Sequence, residues 1–528
     1  MTQADQTSFE ETWAFRFLLA GAFVMGFSMP AGRLCIALSL LLAVTGAVRK
    51  KIRFVMPASA WLWLALFVLA GVVTACGINP HRGLGKLHKL GWYIGIPIAA
   101  TLVTTRKRMK MVLCSLIGGL TVLSAMILFQ NPLYAHAIVR RFQDSPNHVF
   151  FQMENELAMQ GSIIDGERLM VGLTLALALL LAGGVASRFK VQWHHLAIGG
   201  FSFLAVFSLF YNRLAASAIV ERFHGTPLKA NFSMANELEF QNELFTAKWP
   251  LFILFALLAI ASYAIGRFVR SKRIDSGRKG AQAGCPPSGP RGLVISPLPC
   301  AIALIALAEI VVLKRGSWFC TIAIVVLLLV RRISWKWLAT GALALLAVAF
   351  LVSPVRARFA AIPGEFDSAR GGRAAMWTKF APAILADHPW GIGFRSLVPD
   401  DASPFSLQSL SRKYNLNIEF EKNRDHLHSN LVEMTTSLGW EGLVLYLVWM
   451  GVIFADAIRG GKATSPVFWA ILALFLNGFV EYNFANAGII IIFGILAGLA
   501  AAGRRLAQAS NDGAPTPVPL PAQEQKES

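Results

Sequence analysis

AIALIALAEIVVLKRGSWFCTIAIVVLLLVRRISWK, residues 301–336, sets two apolar runs around a basic step at Lys314 and Arg315 and ends on Arg331, Arg332 and Lys336. A helix crossing a hydrocarbon layer about 30 Å thick needs roughly 20 mostly apolar residues, because each backbone N–H and C=O must be bonded within the segment. The first run, read from 293 to 313, meets that requirement, and the second, from 317 to 330, closes a hairpin. An arginine at mid-bilayer costs roughly 2.5–3.5 kcal/mol on insertion scales, so Arg315 is expected near a span end or facing a polar cavity.

The same alternation extends both ways. Apolar runs near 13–29, 31–48, 55–75, 91–104, 110–130, 168–186, 195–211, 250–266, 337–353, 430–455, 465–481 and 487–502 bring the count to fourteen. Hydrophobic residues make up 55% of the 528 positions and charged residues 15%, too few charges for a water-wrapped surface. The fold expected is an all-α polytopic transmembrane bundle, spans 13–353 and 430–503, with a large external loop domain at 354–429. The formal charge of +20 falls mainly in short clusters between spans, the pattern of topology signals rather than of nucleic-acid binding. Arg49 to Arg53, Arg106 to Lys110, Arg267 to Lys279, Arg331 to Lys336, and Arg504 with Arg505 fall on one side of the alternation, which the positive-inside rule makes cytoplasmic. Both termini are then cytoplasmic, residues 1–12 as a short N-terminal segment and 504–528 as a tail expected to be disordered, and the first span lacks a clear cleavage site.

A tandem repeat lies inside the bundle, in units near 128–208 and 209–289. LFQNPLYAHAIVRRFQDSP from Leu128 aligns with LFYNRLAASAIVERFHGTP from Leu209, and 17 of 33 positions are identical over 128–160 against 209–241. Each unit holds two spans, so both copies keep one orientation, unlike the inverted repeats of many transporters. A duplication that widened the bundle and a pair of loops contacting glycan or partner are the two readings. Glu154, Glu156, Glu237 and Glu239 have nothing to pair them across a reacting bond. The six cysteines are scattered without CxxC or metal-ligand spacing, so neither a disulfide framework nor a metal site is expected.

Arg315 in LKRGSW, Arg373 in RGGRAAMW and His428 in HLHSNLVEMTTSLGWEG come from separate stretches that topology delivers to the non-cytoplasmic side. Their plain readings are a snorkelling interface residue, a loop charge and a residue near a helix cap. The order of motifs here resembles the O-antigen ligase and O-antigen polymerase superfamily. The resemblance covers about 297–455 and rests on Arg315-Gly316, on Arg373, Trp377, Pro389, Gly391 and Gly393, and on His428, Ser429, Asn430, Leu438, Gly439 and Gly442. Ser429 stands where the family often has Asn, and Lys314 where it commonly has Ser. The family has about twelve spans, and a two-span duplication would account for fourteen.

The resemblance implies transfer of a glycan from a polyprenyl diphosphate carrier to an acceptor, either lipid A core or another glycan, outside a bacterial inner membrane, with no cofactor and no metal. Guanidinium groups of Arg315 and Arg373 suit the charge that builds on a departing diphosphate. His428 is the candidate to take the acceptor proton, and neighbouring arginines would favour its neutral form. His426 competes for that role, although the spacing from His428 to Gly439 fits the family register better. Arg82, Lys86 and Lys89, with His88, lie in an external stretch at 76–90 that attracts a carrier diphosphate or else lies amphipathically in the interface. Trp377 is a further substrate-binding candidate. Ligase, repeat-unit polymerase and, in another class, a polysaccharide or lipid transporter remain in view, the last disfavoured because the charges concentrate in one external loop rather than within spans.

Overall fold

The computed structural model of the chain describes residues 8–26, 28–144, 162–182, 189–191, 293–295, 297–312, 314–330, 372–399, 403–418, 420 and 425–512. These belong to two compact units, one formed by Met1–Ser124, Gly161–Val185 and Ala301–Ser528, the other by Ala125–Gln160 and Ala186–Cys300. The described residues of the second unit include an antiparallel pairing of β1 (Phe189–Val191) with β2 (Leu293–Ile295). The spans predicted at 195–211, 250–266 and 337–353, the second repeat copy and the loop segment 354–371 lie outside the described residues.

The first unit is helical. In chain order it holds α1 (Phe9–Val24), α2 (Met29–Val48), α3 (Ala58–Ala75), α4 (Pro80–Gly91), α5 (Gly95–Leu102) and the start of α6 (Arg106–Asp144). Next come α7 (Ser162–Leu181), α8 (Pro297–Val312) and α9 (Arg315–Leu329), α8 beginning at the boundary with the second unit. Five described segments are long and apolar enough to cross a membrane: Met29–Val48, Ala58–Ala75, Arg106–Ala125, Asn430–Arg459 and Gly488–Asn511. Leu34, Leu41 and Val48 on α2, and Trp61, Val68 and Val72 on α3, are exposed along one face of each helix, a surface that suits lipid and not water. Where helices meet, small residues allow close approach: a Cβ on Gly119 of α6 would strike the backbone of Phe23 in α1. Buried side chains cross-link the bundle, as when Trp449 Nε1 donates to Ser59 O at 2.7 Å and Tyr93 Oη to Phe484 O at 2.8 Å.

Three segments differ from the sequence expectation. The external stretch at 76–90 is helical from Pro80, and α4 continues through a 3-10 turn at Trp92–Ile94 into α5, so the segment expected as a span at 91–104 is a 3-10 turn followed by a short helix. All eight residues of α5 are buried, which makes its apolarity that of a core helix rather than a lipid-facing one. The helix expected at 110–130 runs on to Asp144, and the last helix, α14 (Ala487–Asn511), passes the predicted end of its span through an alanine-rich, helix-favouring stretch.

The external loop folds around its own apolar core. Arg373–Ala375, a π turn at Met376–Phe380 and α10 (Ala381–Asp387) form one helical path, followed by α11 (Leu407–Lys413). Met376, Phe380, Ile384, Ile392, Leu407 and Leu427 pack together beneath it. The chain then enters α12 (Asn430–Arg459), α13 (Ser465–Asn477) and α14. Gly439 interrupts α12 with φ 71° and ψ −174°. A break there leaves the carbonyls of Thr436 and Ser437 without their helical donors. The N–H groups of Ile392 and Gly393 supply them, each at 2.9 Å. Gly391 and Gly393 have φ of 90° and 97°, and a Cβ on Gly391 would lie 2.6 Å from the Ser437 backbone. The glycines of the family motif are thus the joint between the loop and the broken helix.

Basic clusters gather at one end of this unit. Arg49 and Lys51 pair with Glu10, Arg108 with Glu11, and Arg504 with Asp456, while Arg505 donates to Ala100 O. The segments at 428–430 and 478–486 lie at the other ends of α12, α13 and α14.

Candidate functional site

Two carboxylates organise the polar residues at that opposite end. The first is Glu481, in the connection between α13 and α14. Its Oε1 accepts from Arg373 Nη2 at 2.8 Å, and its Oε2 lies 3.5 Å from His428 Nδ1 and 3.9 Å from Lys314 Nζ. Lys314 also reaches Glu167 Oε1 at 3.0 Å, and the other Glu167 oxygen accepts from Asn486 Nδ2 at 3.0 Å. Burial works against the Glu481 carboxylate, yet the His428 hydrogen bond and the charges of Lys314 and Arg373 overcome it and hold its pKa down to about 2. Lys314 stays protonated: burial opposes its charge, and the two glutamates more than restore it.

His428 is delivered to this cluster by its backbone. It sits at φ 54°, in the left-handed region that bulky residues seldom adopt, immediately before the Ser429 N-cap of α12. The preceding Leu427 is clamped on both sides, its N–H donating to Glu433 Oε2 and its carbonyl accepting from Trp377 Nε1, each at 2.8 Å. Asn430 then fixes the facing connection. Its N–H donates to Gly478 O at 2.6 Å, and its Oδ1 accepts from Asn483 N at 3.0 Å and Phe484 N at 3.1 Å. The asparagine after Ser429 therefore sets the distance between His428 and Glu481.

The second carboxylate is Asp425. Arg395 Nη1 reaches it at 2.6 Å, His426 Nδ1 at 2.7 Å and Arg82 Nη2 at 3.8 Å. Burial opposes its charge, but the His426 hydrogen bond and the Arg395 guanidinium pull the carboxyl well below the usual range. Arg395, at φ 53°, also lies 5.1 Å above the Tyr482 ring. The segment carrying it is held by Phe394 N donating to Thr74 Oγ1 at 2.8 Å and by the joint at Gly391 and Gly393. The two clusters abut: the rings of His426 and His428 are 4.4 Å apart.

Of the sequence-predicted residues, Arg373 and His428 meet on Glu481, and Trp377 donates its indole N–H to the backbone carbonyl beside His428. Arg315 is the first residue of α9, next to Lys314, and its side chain lies outside the described residues. Arg82 and Lys89 belong to the Asp425 side, with Lys86 between them on α4. The electrostatic expectation for His428 changes. The charge nearest it is a carboxylate, so the imidazole is held through Nδ1 and not simply repelled by arginines. Glu481, Asp425, Arg395 and Glu167 were missed. Their signal in the sequence is faint: acids isolated between apolar runs or set among basic residues. Among the described residues no cluster of three or more His, Cys, Asp or Glu side chains is arranged as metal ligands.

Apolar helices with an enclosed Arg–Glu–His–Lys cluster at one end define a multi-pass membrane protein with a built polar site. Residues 300–447 match the family model described as O-antigen ligase, which supports membership of the O-antigen ligase superfamily and with it a role in polysaccharide biosynthesis. The matched segment includes Arg373 and His428 and ends before Glu481. No curated protein matches the chain.

Proposed function

We propose that this protein is a glycosyltransferase of the O-antigen ligase type, moving a glycan from a polyprenyl diphosphate carrier to an acceptor at the periplasmic face of a bacterial inner membrane. The observation that carries this reading is the convergence of Arg373, Lys314 and His428 on Glu481, at the end of the helices opposite the basic clusters. In this topology fourteen spans, twelve plus the duplicated pair, leave both termini in the cytoplasm. The acceptor hydroxyl attacks the anomeric carbon; the carbon–oxygen bond to phosphate breaks, and its electron pair leaves with the carrier diphosphate. Arg373, Arg315 and Lys314 stabilise that charge through charge-assisted hydrogen bonds. With Nδ1–H directed to Glu481, His428 Nε2 is the atom that accepts the hydroxyl proton. Arg373 exchanges part of its bond to Glu481 for the diphosphate as the leaving group develops. Arg82, Lys86 and Lys89 supply further cations for substrate.

A deletion strain examined for its surface glycan tests the reading. Loss of lipid-linked polymer with carrier-linked polymer accumulating is expected. Accumulated single repeat units would assign the polymerase reaction instead, and unchanged glycan with altered uptake or efflux would refute transfer.

A further inference from the structure

The Asp425 cluster holds more cations than its acids balance. Arg82 and Arg395 share the one Asp425 carboxylate with His426, and the Nε atoms of both arginines are buried without a hydrogen-bond partner among the described residues. Arg82, Lys86 and Lys89 recur at helical spacing along one side of α4. Lys89 is half-buried, and no hydrogen bond or ion pair engages it among the described residues. Burial first, then the charge of Arg395, push its ammonium pKa down to about 8, with Lys86 and Arg33 adding to the repulsion and Asp425 opposing it. The other nearby acid, Glu433, already accepts from Leu427 N and Ser437 Oγ. By contrast, the cations around Glu481 have two carboxylates, Glu481 and Glu167, among them.

We propose that Arg82, Lys89 and Arg395 form a second anion subsite, which binds a phosphate or diphosphate group carried by the acceptor, across the histidine pair from Arg373. Guanidinium forks and an ammonium converging from α4 and the Gly393–Ser396 turn match a tetrahedral oxyanion. The assignment to the acceptor rests on the transferase reading above. In a direct displacement the hydroxyl approaches from the side away from the departing diphosphate. With the leaving group at Arg373, an anion on the far side of His426 and His428 therefore travels with the acceptor. The acceptor phosphate has two sources, a diphosphate linking a second glycan to its carrier or a phosphate on a glycolipid.

The full-length protein in phosphatidylcholine nanodiscs, titrated calorimetrically with inorganic pyrophosphate, is expected to bind two equivalents. Lys89→Glu, which deprives no side chain of a partner, should leave one equivalent, and Arg373→Ala should remove the other. One equivalent in the wild type, or two in Lys89→Glu, overturns the subsite. In the transfer assay Lys89→Glu should raise the acceptor KM at least tenfold and leave the donor KM within twofold; a rise in donor KM alone, or unchanged acceptor KM, overturns the acceptor assignment. Phosphatase treatment of a glycolipid acceptor should cut its kcat/KM tenfold if that phosphate is the ligand, whereas use of a carrier-linked glycan as acceptor assigns the diphosphate. A phosphate-free acceptor used equally well by wild type and variant contradicts both. Two-site binding by a wild-type protein that transfers nothing refutes the transferase reading and supports the subsite.

Discussion

The two carboxylate clusters share a plan and differ in enclosure and in charge. Each joins an acid, a histidine and an arginine drawn from separate chain segments, and in each the histidine nitrogen facing the acid is Nδ1. Glu481 keeps 12% of its side chain exposed and Asp425 29%, while among the described side chains the arginines and lysines outnumber the carboxylates around Asp425 and not around Glu481. Electrostatic stabilisation of a developing charge is strongest where water is excluded, and capture of a charged ligand is favoured where cations remain accessible. The Glu481 side is accordingly suited to bond breaking and the Asp425 side to holding what arrives.

That contrast predicts different kinetic signatures. His428→Ala should lower kcat by about 10²–10⁴-fold. Arg373→Ala should lower it by roughly 10²–10³-fold, with the acceptor KM nearly unchanged in both. Steady-state transfer kinetics in nanodiscs check this pair, and a loss confined to KM would place the chemistry elsewhere. Next in size is the joint that supports both clusters. Gly391→Ala forces a Cβ toward the Ser437 backbone at φ 90° and should destabilise the protein by about 1–3 kcal/mol, read as a lower melting temperature in detergent. The smallest effect is a pH dependence on the Asp425 side. The folded pKa of Lys89 is depressed to about 8, so its ammonium is present below that pH and lost as pH rises through it. The charged groups that face it are Arg33, Lys86, Arg395 and Asp425. Pyrophosphate affinity of the Lys89 subsite should therefore fall above pH 8 in the wild type and stay flat in Lys89→Ala, measured by titration across pH 7 to about 9.

Much of the Glu481 side could be read in the sequence, because Arg373 and His428 lie in motifs whose order survives in one dimension. The glycines at 391, 393 and 439 were visible as part of the same pattern, although their task, letting the N–H groups of Ile392 and Gly393 reach a helix break without a Cβ clash, depends on two segments meeting. Glu481 was not legible, since its three partners come from the cap of α9, the external loop and the residue before the cap of α12, and only folding brings them within 4 Å. Asp425 and Arg395 escaped notice for the same reason. Periodicity marked most of the long apolar helices but could not separate the core helix α5 from a lipid-facing span, because both are apolar on every side.

Glu481 as the hub that orients His428 is tested by a double-mutant cycle on the transfer rate, using Glu481→Gln and His428→Ala singly and together in correctly inserted protein. If Glu481 acts through His428, the second substitution adds little once the first is present, and the double variant turns over at nearly the rate of His428→Ala. Losses that multiply in full, or a Glu481→Gln variant with wild-type turnover, would contradict a shared site.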